Sequence, residues 1–521
     1  MDKEGRKDWI AIHLILVVLI SALQFGIVLG YAGDKPLPMG KDEGMHLRNA
    51  SQVHHILEKG LSPAALYREL VNLRLNYPPL VYLLSAAAKR IVRAGDVFTS
   101  LLSLIPFVIA MNLGLFLLGR RYHSPGAGYA AILVNASIPA LVRQMAIYNM
   151  ALPQAGLMPL VLYMLCESRG LTDLRMTIAA AILIALGSWI HFTFLVYALP
   201  VVLAAAIVGL AAPNKARTLL GLGGLILVAA ILTAPYFLNP EIIFSIRERI
   251  GRFSSPGYVQ GDLVPGLPAP WNRYLFYPYA VVFVTFGPLR IAALLILWIA
   301  LLRKEKFFSG MAAVAILAPV ILFAPWSATS AERLVPVLPA ASVAAVLGAL
   351  SFERRRLKGA VTAALLVACF FSAARATVEE SLSYSKMKRL DLKAVALDLN
   401  SHITASDHIL AAGYDLEWLE YYAEAYRLPN LKRMRMVGVP SQQVEIPPSS
   451  IDLALVHNRE PWFEAALLNP ATSEVALSAP GAIVHVTEDP NSPGAAFVVL
   501  RKYDFGPDAV YWILRHAVEK Q

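Results

Sequence analysis

The feature that most constrains this chain is a succession of long apolar runs separated by short charged loops. A helix needs about 20 mainly apolar residues to span a bilayer. In hydrocarbon only helices and closed barrels satisfy their own backbone polar groups. Candidate spans fall near 9–31, 97–118, 126–142, 152–167, 175–191, 193–211, 217–238, 275–302, 309–326, 334–350 and 359–375. Composition agrees: 57% of the 521 residues are hydrophobic and 16% are charged, against about 25% charged in soluble domains. The fold class expected is a polytopic α-helical membrane protein. The formal charge of +10 is read as basic cytoplasmic loops, with no nucleic-acid partner. Cys166 and Cys369 both lie in apolar segments, which suggests neither a disulfide framework nor a cysteine zinc site. The charged MDKEGRKD precedes an apolar run of about 20 residues, long for a signal peptide, and is read as the start of a retained first helix.

Charge selects the topology. "YPPLVYLLSAAAKRI" (77–91) is short for a crossing and ends near Lys89, Arg90 and Arg93. If it stays on one face, about 11 spans remain and every second loop is basic. Those loops read RRYHSPG, ESRGLTDLR, PNKAR, LLRKEK and FERRRLK, as the positive-inside rule requires. If it crosses, all of them flip outside. The segment is therefore read as interfacial, on the outer face. The N-terminus is then cytoplasmic, in the plasma or inner membrane. The outer face receives 32–96, 143–154, 239–274, 326–334 and the tail.

From about residue 376 charges and turn residues become frequent. DLKAVALDLNSHI and DLEWLEYYAEAYRL read as helices. DHILAAGY, IDLALVHN, GAIVHVT and GAAFVVLRKY read as strands, and PDAVYWILRHAVEK as a final helix. Helix and strand alternate, so the expectation is a soluble extracytoplasmic α/β domain over 376–521, following a membrane domain over 1–375 whose outer loop 32–96 carries interfacial helices.

Three motifs lie ahead of that tail: Asp42-Glu43 just after the first span, Pro78-Pro79-Leu80, and Arg333-Leu334-Val335-Pro336-Val337-Leu338-Pro339 before a late span. Together they resemble glycosyltransferase superfamily C (GT-C), and within it the protein O-mannosyltransferases and the lipid A aminoarabinose transferase. The resemblance implies a sugar carried on a polyprenyl phosphate and transferred on the extracytoplasmic face with inversion. It covers about 1–350. The chain departs from the pattern in three places. Leu334 replaces a tyrosine of the late motif. Leu152 stands where relatives often have an acid, with Asn149 and Gln154 nearby. His191, in SWIHFTF, stands where relatives often have Lys-Gly.

A polyprenyl-phosphate sugar already carries its leaving group. Transfer then needs a base for the acceptor's proton and cationic or donor groups for the departing phosphate. Either Asp42 or Glu43 can be the base; Asp42 is the one expected, with Glu43 orienting the acceptor or a neighbouring cation. The same two residues also suit the N-terminus of a helix. Arg333 is the expected phosphate ligand, since a guanidinium grips phosphate at two points. His191, Lys89 and Arg90 are further phosphate candidates, although Lys89 and Arg90 equally suit lipid headgroups. His46, Arg143, Tyr148 and Asn149 are candidate substrate contacts. No metal site or other cofactor is expected. Expected partners are the polyprenyl-phosphate-linked sugar, a lipid, glycan or protein acceptor, and membrane lipids. Two other readings stay open: a transporter or flippase of lipid-linked saccharides, and a receptor whose tail binds a partner. Transporters often show internal repeats and charges at the membrane midplane. No repeat is visible here, and the spans hold few central charges.

Overall fold

The computed structural model describes residues 3–33, 41–73, 77–92, 94–240, 242–244, 246–247, 260–261, 264, 269–286, 288–324, 328–387, 392–403, 408–433, 435–439, 453–457, 483–486, 495–504 and 510–516. Helices come first: α1 (Lys3–Ala32), α2 (Lys41–Glu58), α3 (Pro63–Asn72), α4 (Leu80–Ile91), α5 (Asp96–Leu102), α6 (Ile105–Tyr122), α7 (Pro125–Ala136), α8 (Pro139–Met145), α9 (Ala151–Glu167), α10 (Leu174–Ile190), α11 (Phe194–Ala211) and α12 (Lys215–Phe237). Next come α13 (Ala269–Tyr279), a π-helical stretch Ala280–Phe286, α14 (Pro288–Lys304), α15 (Lys306–Phe323), a 3₁₀ turn Ala331–Val337, α16 (Leu338–Leu350) and α17 (Arg355–Met387). β1 (Gln260–Gly261) and β2 (Ala328–Thr329) form a small parallel pair.

Two compact units result. The first comprises Met1–Gly33 and Ile56–Ser381; the second comprises Asp34–His55 and Leu382–Gln521. The segment that follows the first helix, with its acidic pair, thus clusters with the tail.

In the first unit seven helices among the described residues are long and apolar enough to cross a membrane. Counting α7 and α8, bent by 77° at their junction, as one span gives an eighth. Of the other expected spans, 152–167 and 175–191 correspond to the shorter apolar helices α9 and α10. Across the expected span 275–302 lie the end of α13, the π-helical stretch and α14. Pro278 accounts for part of this. Its ring nitrogen carries no hydrogen for the i−4 carbonyl, and π-helical turns absorb such interruptions. Segment 77–91 is α4, only 12 residues long.

α9 is buried almost all the way round, the pattern of a helix inside a bundle. Interhelical polar contacts tie the bundle. Asn112 donates to Ser21 at 2.9 Å and to Gln24 at 3.0 Å, and the Ser342 hydroxyl donates to Asn135 at 3.2 Å. In hydrocarbon such bonds replace the water these groups would otherwise need.

The second unit contains α2 up to His55, α18 (Leu392–His402), β3 (His408–Ala412), α19 (Gly413–Ala425), α20 (Pro429–Arg433), β4 (Arg435–Val439), β5 (Leu453–His457), β6 (Ile483–Val486), β7 (Ala495–Asp504) and β8 (Val510–His516). Among the described residues six strands form one mixed sheet in the order β4-β3-β5-β8-β7-β6. β3 runs parallel to β4 and β5, and the remaining pairs are antiparallel. The sequence reading of PDAVYWILRHAVEK as a helix is overturned. Residues 510–516 form β8, which is paired with β5 on one side and β7 on the other. Val510, Tyr511, Trp512 and Ile513 are β-branched or aromatic and suit a pleated surface, and the two ladders satisfy backbone groups that helical spacing alone did not reveal.

Candidate active site

Arg333 sits on the 3₁₀ turn that leads into α16. Its guanidinium donates to the Tyr277 hydroxyl at 3.3 Å and lies 5.5 Å from the centre of the Phe323 ring, within cation–π range. The Tyr197 hydroxyl donates to the Arg333 carbonyl at 2.8 Å. Tyr197, Tyr277 and Phe323 are fully buried, and the Phe323 ring centre lies 5.5 Å from that of Tyr197 and 5.7 Å from that of Tyr277. Three separate helices therefore hold this arginine: α11, α13 and α15. The aromatic cradle orients the guanidinium fork.

The N-terminus of α11 connects this cradle to His191. Thr193 precedes that helix and Tyr197 lies one turn later, on the same face. The Thr193 backbone N–H donates to His191 Nδ1 at 3.0 Å, and the Thr193 hydroxyl oxygen is 2.6 Å from the same nitrogen. Because Nδ1 accepts, the ring proton of neutral His191 belongs on Nε2. The Thr193 hydroxyl oxygen is also 3.0 Å from Gln154 Oε1. Gln154 is oriented in turn by donation from its Nε2 to the Met150 carbonyl at 3.0 Å. The Tyr77 ring, next to Pro78 and Pro79, packs on His191 with centres 4.7 Å apart. The Pro-Pro-Leu segment is thus brought to the histidine.

Tyr148 is fully buried, and its hydroxyl donates to the Val81 carbonyl of α4 at 3.1 Å. Burial raises its pKa, keeping it a donor. Asn149 bonds Gln144, and its Oδ1 accepts from the Ala151 N–H at 3.1 Å, closing the corner between α8 and α9. Arg143 is exposed in the last turn of α8, a helix that packs against the Arg333 turn. Lys89 and Arg90 lie at the far end of α4. Arg90 is exposed, whereas the Lys89 side chain is 4% exposed and ion-paired with Asp96 at 3.5 Å. Burial lowers the Lys89 pKa, opposed by Asp96. Leu152 is fully buried.

Asp42, Glu43 and His46 belong to the second unit, in the first turns of α2. Asp42 is exposed, while Glu43 and His46 are buried. A helix N-terminus is a position that favours negative charge. Burial pushes the His46 imidazole down to about 3, so it is neutral at ordinary pH. Among the described residues no three His, Cys, Asp or Glu side chains gather closely enough to hold a metal ion.

The sequence marks Arg333 and His191, with Gln154 as a polar neighbour. It gives no reason to choose Tyr197, Tyr277, Phe323 or Thr193. Aromatic residues near helix ends are ordinary in a membrane protein, and only the folded arrangement sets these apart.

No family model and no curated protein matches the sequence. Solved structures do match. Two are crystal structures of ArnT from Cupriavidus metallidurans, one bound to undecaprenyl phosphate and one in the apo state. Each is 13% identical over 98% of both chains, with a TM-score of 0.56. The likeness is one of fold, and it extends over nearly the whole of both molecules.

Proposed function

We propose that this chain is a multi-pass membrane glycosyltransferase of the GT-C type. It takes a sugar from a polyprenyl-phosphate donor and passes it to an acceptor hydroxyl on the extracytoplasmic face. The observation that carries this reading is the Arg333 cradle: an arginine held by three buried aromatic residues, in a fold shared with a protein crystallised with undecaprenyl phosphate. Arg333 meets the donor phosphate, and His191 adds an N–H from Nε2. The acceptor is a lipid, a glycan or a protein.

In the reaction Asp42 takes the proton of the acceptor hydroxyl. The acceptor oxygen forms a bond to the anomeric carbon as the bond from that carbon to the phosphate oxygen breaks. The electron pair leaves with polyprenyl phosphate, whose growing charge Arg333 stabilises. One displacement inverts the anomeric centre. Exposure of Asp42 beside a buried Glu43 supports Asp42 as the base. The arrangement of about 11 spans, with the outer loops of the catalytic domain facing away from the cytoplasm, belongs to the same proposal.

The test is a transfer assay with the purified protein and a panel of polyprenyl-phosphate sugars, read by mass spectrometry. The expected result is a glycosylated acceptor together with free polyprenyl phosphate. Asp42→Asn should lower turnover by about 10²-fold or more, the scale of losing a general base, with donor binding little changed. Movement of donor across vesicles without any product would replace this reading with the flippase. Loss of turnover in Glu43→Gln but not in Asp42→Asn would move the base to Glu43.

A further inference from the structure

The helix that carries the acidic pair is held by the tail. Within the second unit, Arg48 of α2 forms an ion pair with Glu420 of α19. Two turns further along α2, His55 Nδ1 lies 2.9 Å from Glu424 Oε1. That glutamate side chain is only 7% exposed. Arg427, just beyond α19, donates from Nε to His55 Nε2 at 3.5 Å. A neutral imidazole serves both contacts at once, donating from Nδ1 to Glu424 and accepting at Nε2 from Arg427.

The spacing gives these contacts their meaning. Arg48 and His55 are seven residues apart, and Glu420 and Glu424 are four apart. Each set therefore lies along one face of its helix. Two polar pairs at different heights fix rotation and sliding of α2 against α19 together, which a single pair does not. At roughly 100° per residue, Asp42 points about 120° away from Arg48 around α2. Docking on α19 thus leaves the acidic pair turned toward another direction. Leu47, Ala50 and Val53 of α2 and Trp418, Leu419 and Tyr422 of α19 are all buried, so both helices are integral to their unit.

We infer that Glu420 and Glu424, acting through Arg48 and His55, are positioning residues for Asp42, and that α19 of the tail is the clamp that sets where the acidic pair stands. The inference rests on the transfer reaction proposed above. That reaction requires the base to stand within hydrogen-bond reach of the acceptor hydroxyl, and a misplacement of about 1 Å costs up to about 10²-fold in rate.

Charge exchange tests it in the full-length protein. Glu420→Arg sets like charges together, Arg48→Glu does the same with the opposite sign, and the double variant restores an opposite pair. Hydrogen exchange at the α2 amides reads docking, and the donor-panel assay reads turnover. Each single variant should speed α2 exchange and lower kcat by about 10- to 100-fold, with the donor KM little changed; the double variant should recover both. If Glu420→Arg does not fold by thermal melt, Glu420→Gln carries the same test with a loss of about two- to fivefold, the scale of a partly exposed ion pair. Single variants with unchanged α2 exchange overturn the docking. Faster exchange with wild-type kcat, or a double variant that re-docks without recovering kcat, overturns the positioning role alone. A folded wild type with no transfer from any donor overturns the transfer reaction itself, and the positioning role with it.

Discussion

Arg333 and its neighbours set the expectations at the scale of single residues. Arg333→Ala removes both the charge and the fork, and should weaken donor binding by about 1.5–3 kcal/mol, the scale of a hydrogen bond to a charged group. Arg333→Lys keeps the charge and should fall between. Tyr277→Phe deletes the hydroxyl that accepts from Arg333 and should cost about 1 kcal/mol. Inhibition by free polyprenyl phosphate reads all three, because the contact belongs to the phosphate; equal inhibition constants in wild type and Arg333→Ala would reduce the arginine to a lipid anchor. A pH effect belongs to His46. Its folded pKa, held down to about 3 by burial, lies below the roughly 6.5 of an unfolded histidine. Between those values the unfolded chain binds the extra proton, so stability is complete above about pH 6.5 and falls as pH drops toward 3, by about 1 kcal/mol per unit. The thermal midpoint of wild type should fall between pH 7 and 5, and that of His46→Leu should fall less. Parallel slopes would show that other groups carry the acid response.

Among the elements, the corner between α10 and α11 bears on the proposed site, because it carries both His191 and Thr193. Gly187 lets that corner close. A Cβ there would come within 2.2 Å of the Phe194 ring, which is fully buried at the start of α11. Gly187→Ala should therefore destabilise the protein by about 1–3 kcal/mol through overpacking and shift His191, lowering turnover with it. At Gly223, inside α12, an added Cβ would meet nothing within 4 Å. Gly223→Ala should be neutral or stabilise by up to about 1 kcal/mol, the helix-propensity gain. Thermal melts of the two variants make the comparison. Similar midpoints would show that the corner yields, with Phe194 turning aside. The apolar character of these helices was legible in the sequence, as was α4's shortness. The π-helical stretch Ala280–Phe286 and the strand β8 were not. In both, local apolar spacing suits a helix, and Pro278 or the two neighbouring strands redirect it.

For the whole molecule, charge alternation predicts the orientation. A cysteine introduced at Ser401 should react with a membrane-impermeant reagent in oriented vesicles, whereas one at Ser351, beside Arg354–Arg356, should stay protected. The reverse pattern would turn every proposed site toward the cytoplasm. The sequence by itself determined the class of molecule, since repeated runs of lipid-spanning length leave the backbone few other ways to be satisfied in hydrocarbon. It also marked Asp42, Glu43, His191 and Arg333, through their places beside apolar segments and through the motifs that resemble GT-C. Only the tertiary structure decided what stands around them. The Tyr197, Tyr277 and Phe323 cradle draws on three helices separated by up to 126 residues of chain, and α2 joins a unit whose other members begin at Leu382. Packing of this kind depends on shape complementarity between distant segments, and no local pattern of residues encodes it.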